Sequence, residues 1–196
     1  MVEQSITEAT EAFEKVVQME VDMGPSPGEW TFKALKQLVK LHIRAGKTDA
    51  VVEYYNRLLS CITSGAVTNN QCEKGINGIL DKVSSPIQNT GKNKVENQNL
   101  ARQVYMATLE VFRPRNDSGS TSTNERLWFK TNLKLGQLLY EINETKKLQT
   151  VIKDLLAHQH PGSATNLMEV YALQIQLYSR QKNIKKLREI FEKAMK

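Results

Sequence analysis

Apolar side chains recur every three or four positions along most of this chain, the period of an α-helix and not of a strand. The pattern is clearest over Trp30–Leu59, WTFKALKQLVKLHIRAGKTDAVVEYYNRLL. Phe32, Leu35, Val39 and Ile43 form one stripe, and Val51, Tyr54 or Tyr55, Leu58 and Leu59 form a second. Between them Gly46 interrupts the apolar pattern and suits a tight turn within Arg44–Asp49. A helix pair this short cannot bury both apolar faces alone, so it requires neighbours of the same kind.

The rest of the chain supplies them. The spacing predicts a helix over 5–21 with Ile6, Ala9, Phe13, Val16 and Val17 on one side, ended by the rigid connector Gly24-Pro25-Ser26-Pro27-Gly28. Helices over 29–44 and 49–63 follow. Thr68-Asn69-Asn70 can cap a helix over 71–84 whose stripe is Ile76, Ile79, Leu80 and Val83. Gly75 and Gly78 either weaken that helix or let a neighbour approach closely. After a loop at Ser84–Asn93, a helix over 95–112 carries Leu100, Val104, Leu109 and Phe112, with Tyr105 and Met106 at its edge. Arg113–Thr123 has the Pro/Ser/Gly composition of an exposed loop. Asn124 caps the next predicted helix, which runs to 142; Thr145–Ala157 pairs with it, His158–Ser163 turns, and helices over 164–180 and 183–195 complete the chain.

These elements repeat. Phe32–Leu59 aligns without a gap on Phe129–Leu156, placing Leu38 on Leu135, Leu41 on Leu138, Val51 on Leu148 and Leu58-Leu59 on Leu155-Leu156. A second alignment, offset by 39 residues, places Leu138 on Leu177, Lys146-Lys147-Leu148 on Lys185-Lys186-Leu187 and Val151-Ile152 on Ile190-Phe191. A period of about 40 residues belongs to the helix-pair repeats. The expectation is therefore an all-α fold: a right-handed superhelix of tetratricopeptide-like helical hairpins, one array over 1–196, with a concave binding surface.

Composition narrows the class. A 40% hydrophobic fraction with 10 glycines and 5 prolines fits a folded body. No apolar run approaches membrane-spanning length, and MVEQSITEATEAFEK carries acids where a signal peptide carries bases and an apolar core, so a soluble intracellular protein is expected. Cys61 and Cys72 lack metal-like spacing and read as reduced, partly buried thiols. The net charge of +6 is uneven: residues 1–127 carry 15 basic and 15 acidic side chains, residues 128–196 carry 12 and 6. That excess steers acidic partners but is too sparse to name nucleic acid.

Catalytic chemistry is not legible. His158 and His160 form an H-x-H, the pattern with which some zinc proteases hold metal, but no aspartate follows Asp154 to complete a ligand set. A polar turn before Pro161 accounts for the pair, and His42, between Leu41 and Ile43, reads as a packed or edge imidazole. Phosphate-binding glycine loops and a nucleophile elbow are missing. Asn143-Glu144-Thr145 matches a glycosylation acceptor by accident. These readings point away from an enzyme.

A basic ridge stands out instead. Lys33, Lys36, Lys40, Arg44 and Lys47 recur at helical spacing, on a face that the apolar stripe leaves free. Such like charges repel unless Asp49, Glu53 or a partner offsets them. An ordinary solvated face is one reading, and an anion or acidic-protein contact is the other. Lys130/Lys134 and Lys182/Lys185/Lys186/Arg188 offer weaker versions. Trp30 and Trp128 each open a helix near a repeat boundary, where a large aromatic either wedges units together or anchors a partner.

Several runs carry a resemblance: Gly28-Glu29-Trp30; Phe32–Gln37; Ala66–Asn69 with Glu73-Lys74, Ile76-Asn77 and Ile79–Asp81; Arg126–Asn132 (RLWFKTN) with Lys134–Gly136; and Leu167–Leu173 with Ile175-Gln176. From about Ala12 to Met195 the chain resembles the N-terminal helical half of the second-subunit family of the COP-nine signalosome, among the PCI-domain proteins. A related subunit of the proteasome lid shares the architecture with less of this wording, and a helical scaffold of that lid is the second scaffold reading.

The resemblance implies a scaffold within a complex that removes the ubiquitin-like protein NEDD8 from cullins, its zinc isopeptidase lying in another subunit. It implies a helical arm that contacts other signalosome subunits and clamps the cullin C-terminal region and its RING partner, in nucleus and cytoplasm. It also implies inositol hexakisphosphate as a bridging ligand held by Lys33, which agrees with the ridge. There are departures. The family's winged-helix PCI module and terminal helix do not follow Lys196, and its acidic N-terminal tail is missing, so an excised N-terminal part or a divergent form is expected. Asn70 stands where the family usually has arginine, Pro27 where a lysine would help hold the polyphosphate, and the 113–123 loop is long. From a different class, a polyanion or nucleic-acid binder would use the same ridge.

Overall fold

A computed structural model describes residues 2–24, 27–85, 93–113, 122–158 and 164–194. Among them the chain forms nine helices and no strand: α1 (Val2–Met23), α2 (Glu29–Ala45), α3 (Thr48–Thr63), α4 (Asn69–Val83), α5 (Lys94–Val111), α6 (Ser122–Glu141), α7 (Thr145–Ala157), α8 (Ala164–Arg180) and α9 (Ile184–Ala194). This is an all-α fold of repeated helical hairpins. Pro25-Ser26 of the connector, positions 86–92 and 114–121 of the two loops, and 159–163 with His160 lie outside the described residues. No described helix is long and apolar enough to cross a membrane.

Three hairpins reverse in the same way. Each turns through a left-handed residue: Gly46 at φ 69° after α2, Asn143 at φ 63° after α6 and Lys182 at φ 54° after α8. At each turn that residue's N–H bonds the carbonyl three back, and the next N–H bonds the carbonyl five back. The pairs are Gly46 to Ile43 and Lys47 to His42, Asn143 to Tyr140 and Glu144 to Leu139, and Lys182 to Ser179 and Asn183 to Tyr178. Those bonds satisfy carbonyls that a helix end leaves open. The following helices restart in register, with Val51 on Lys47, Leu148 on Glu144 and Leu187 on Asn183. The three turns sit at the two offsets that align the apolar stripes, so the repeat extends to the backbone.

The chain divides into two compact units, Met1–Trp128 and Phe129–Lys196. In the first, α2 packs against α1, α3 and α4, and α5 packs against α3 and α4. Thr68 caps α4 with a reciprocal box: its hydroxyl accepts the Gln71 N–H while the Gln71 carboxamide oxygen accepts the Thr68 N–H. Helix α4 therefore starts at Asn69, before the expected 71. Tyr105 is not at the edge of α5 but buried, because Ala101, Val104, Tyr105 and Thr108 form the inward face and leave Leu109 half-buried. Thr108 donates to the Val104 carbonyl at 2.7 Å, so the buried Tyr55 hydroxyl donates to Thr108 Oγ1 at 2.6 Å. Asn124 lies inside the first turn of α6, which begins at Ser122, and does not cap it.

In the second unit α8 packs against α7 and α9. Gly136 of α6 makes room for two leucines: a Cβ there would lie 2.5 Å from Leu173 Cδ2 and 3.5 Å from Leu148 Cδ1. The α6–α7 turn is pinned by Arg180, which donates to the Tyr140 carbonyl at 2.5 Å and stacks 3.6 Å over the Tyr140 ring.

The turn geometry makes a direct prediction. A Cβ at Gly46 meets nothing within 4 Å, so the penalty for Gly46→Ala is conformational alone. Its unfolding free energy should fall by about 1 kcal/mol, and Lys182→Gly should raise it by a similar amount. Urea titrations followed by helical circular dichroism check both signs.

Candidate anion-binding face on α2 and α4

The start of α2 is built by its neighbour. Gly28 sits at the N-cap with no side chain to offer, and the carboxylate of Glu20 in α1 takes its place. It accepts the backbone N–H groups of Gly28 at 3.0 Å, Trp30 at 3.2 Å and Thr31 at 2.6 Å. Burial pushes the Glu20 carboxyl up, but the hydrogen bonds from Thr31, Trp30 and Gly28 together outweigh it and hold the group below the ordinary carboxylate range. Two further contacts join α1 to the pair. Arg57 grips Glu14 with two bonds, at 2.6 and 3.2 Å, and Thr10 meets His42 Nε2 at 3.4 Å.

Phe32, Leu35, Leu38, Val39 and Ile43 are buried, and the opposite edge of α2 carries the cations. The five predicted ridge residues do not form one equivalent row. Lys36, Lys40 and Arg44 gather, and Lys82 of α4 joins them. Burial depresses the Lys40 ammonium most, and the charges of Lys36, Lys82 and Arg44 push it lower. No carboxylate pairs with Lys36, Lys40, Arg44 or Lys82 among the described residues. Asp49 and Glu53, the expected counter-charges, form no ion pair with the ridge there.

Lys33 and Lys47 stand apart. Lys33 is bound to Glu29 at 2.6 Å and lies 4.5 Å over the Trp30 ring. Glu29 in turn accepts from the Gln71 carboxamide at 2.7 Å. Lys47 is exposed at the turn; burial lowers the pKa of His42 most, and the charge of Lys47 lowers it further. Sequence reasoning missed Lys82, although a signal existed. A Cβ at Gly75 would lie 2.7 Å from Phe32 Cζ and 3.7 Å from Lys36 Cδ, so the bare backbone brings α4 against α2. Lys82 follows about two helical turns later on the same face.

The aromatic candidates also separate. Trp128 is 8% exposed, in the second turn of α6, whereas Trp30 is 62% exposed beside Lys33. His42 is buried and stacks on Tyr54 at 5.2 Å between centroids. His158 is exposed and its Nδ1 meets the Asp154 carbonyl at 2.9 Å. Cys61 and Cys72 are buried free thiols; burial pushes Cys72 up to about 11. No group of three or more His, Cys, Asp or Glu suited to a metal occurs among the described residues.

No family model matches the chain. Relatives do: it is 38% identical to COP9 signalosome complex subunit 2 of Caenorhabditis elegans, over 96% of this chain and 35% of that protein. The subunit of the same name from Drosophila melanogaster is 39% identical over 95% of this chain and 39% of its own length. The one from Dictyostelium discoideum is 37% identical over 100% and 41% respectively. The chain belongs to the COP9 signalosome subunit 2 family. It spans about two fifths or less of the length of these relatives.

The run Arg126–Asn132, one of those that carry the resemblance in the sequence, is largely interior. Leu127, Trp128, Phe129, Thr131 and Asn132 are buried, and Arg126 reaches Glu73 of α4 at 3.0 Å. Packing accounts for the apolar side chains of that run, while the cationic face is built from residues of α2 and α4.

Removing the Glu20 cap should cost about 1 kcal/mol at neutral pH, as Glu20→Ala. The carboxyl is depressed in the folded chain, so its stabilisation is complete above the unfolded value and disappears as pH falls through the folded one. Urea titrations should therefore show parent and variant converging in acid.

Proposed function

We propose that this chain is a non-catalytic docking arm of the signalosome. In this reading it binds other signalosome subunits and the cullin-RING ligase, promotes cullin deneddylation by holding that ligase, and works in nucleus and cytoplasm. The observation that carries the reading is the cluster of Lys36, Lys40, Arg44 and Lys82, four cations without an ion-paired carboxylate among the described residues. Family membership supplies the complex, and the cluster supplies a means of contact.

The chemistry favours a multivalent anion. Lys40 loses solvation and faces three like charges, so folding gives up stability to keep it protonated. A polyphosphate such as inositol hexakisphosphate would offset that repulsion through charge-assisted hydrogen bonds and bridge the arm to a basic surface on the ligase. Lys33 is the weaker contributor here, since Glu29 already shares its charge. Exposed Trp30 gives the edge of this face an aromatic contact.

The thermal midpoint of the parent should rise with inositol hexakisphosphate, and the rise should vanish in Lys40→Glu. In a pull-down with a cullin-RING complex and inositol hexakisphosphate, Lys40→Glu should weaken recovery about tenfold and Lys33→Glu less. Equal recovery in every arm, with or without the polyphosphate, would remove this face from the mechanism. A polyanion or nucleic-acid binder would instead show steep salt dependence with broad ligand tolerance.

A further inference from the structure

The second unit holds a cavity of about 230 Å³ between α7, α8 and α9. Leu156 and Ile190 supply aliphatic walls, and Tyr171 and Tyr178 supply aromatic ones. Lys186 and Lys193 of α9 stand on its rim. We propose that this groove binds an acidic peptide segment of a partner protein, which seats one apolar side chain in the cavity and places a carboxylate on each lysine.

Three observations define that occupant. The volume and the Leu156, Ile190 and tyrosine walls suit a single large apolar or aromatic side chain. The two ammonium groups are exposed and form no ion pair among the described residues. Lys186 is also positioned: its Nζ lies 4.8 Å over the ring of Tyr178, itself a lining residue, and donates to the Tyr178 hydroxyl at 3.4 Å. Glu189 is the one acid in the lining and pairs with neither lysine, so an incoming carboxylate is favoured only on either side of it.

Spacing turns this into a recognition pattern. Lys186 and Lys193 are seven residues apart on one helix, roughly 10 Å along its axis. An extended peptide advances about 3.3 Å per residue with side chains on alternate faces, so acids four positions apart, about 13 Å, share one face with the apolar residue midway between them and lie within the spread of two long lysine side chains. Net charge supports the sign: the region 128–196, which contains the groove, carries the whole cationic excess of the chain.

The test is calorimetric titration of the full 196-residue chain with a blocked Gly-Glu-Gly-Phe-Gly-Glu-Gly peptide. Its Glu→Gln and Phe→Ala analogues should each bind at least about tenfold more weakly, as should the parent peptide to a Lys186→Gln/Lys193→Gln variant. A Lys36→Gln/Lys40→Gln variant should bind like the parent, which separates this groove from the α2 face. Equal affinity for the peptide and its Gln analogue, no measurable binding, or retention of affinity by the α9 variant would overturn the proposal. So would unchanged affinity for the Phe→Ala peptide with displacement by a single-stranded oligonucleotide, since that result assigns the rim to a generic polyanion. The peptide analogues keep the test decisive even if the α9 variant loses helicity.

Discussion

Burial of α2 on three sides is the constraint from which the rest follows. Packed by α1, α3 and α4, this helix has a single edge left for charge, and its cations occupy it. The apolar stripe drives the packing, since each buried leucine or phenylalanine contributes roughly 1.5–3 kcal/mol relative to exposure. No single cation on the edge outweighs a contribution of that size. The chain therefore accepts like-charge proximity as the cost of a well-filled core, and the tension is concentrated at Lys40.

How the three neighbours are held explains why the face is specific in shape. The Glu20 carboxylate fastens α1 to the exposed N–H groups of α2, where a helix end favours negative charge. Gly75 removes the side chain that would keep α4 away, so Phe32 fits against its backbone and Lys82 is carried to the cluster. One glycine thus serves packing and electrostatics together.

The second unit applies the same construction to different ends. Its hairpins reverse through Asn143 and Lys182 with the hydrogen-bond pattern that Gly46 uses, although neither residue has the conformational freedom of glycine. Asparagine tolerates the left-handed region and lysine does so at a cost, so the hydrogen-bonded turn outranks local preference. The exposed lysines of α9 then frame a small cavity, where those of α2 gather into a face.

Much of this was legible along the chain. Helical spacing alone located every described helix, because a period near 3.6 must place its apolar residues on one side. The Phe32/Phe129 alignment and the 39-residue offset anticipated turns that match bond for bond. The ridge was legible as a face but not as a site. Lys33, one of the five expected ridge residues, is bound by Glu29 one helical turn away, and Lys82 joins the cluster because α4 lies against α2. Glu20 gave no signal, since its partners belong to the next helix and across a connector. Local periodicity determined most of what lies inside, though not that Tyr105 would replace Leu109 on the inward face of α5. Only tertiary packing decided which charges met, because charge proximity depends on distances between helices that no spacing along one helix contains.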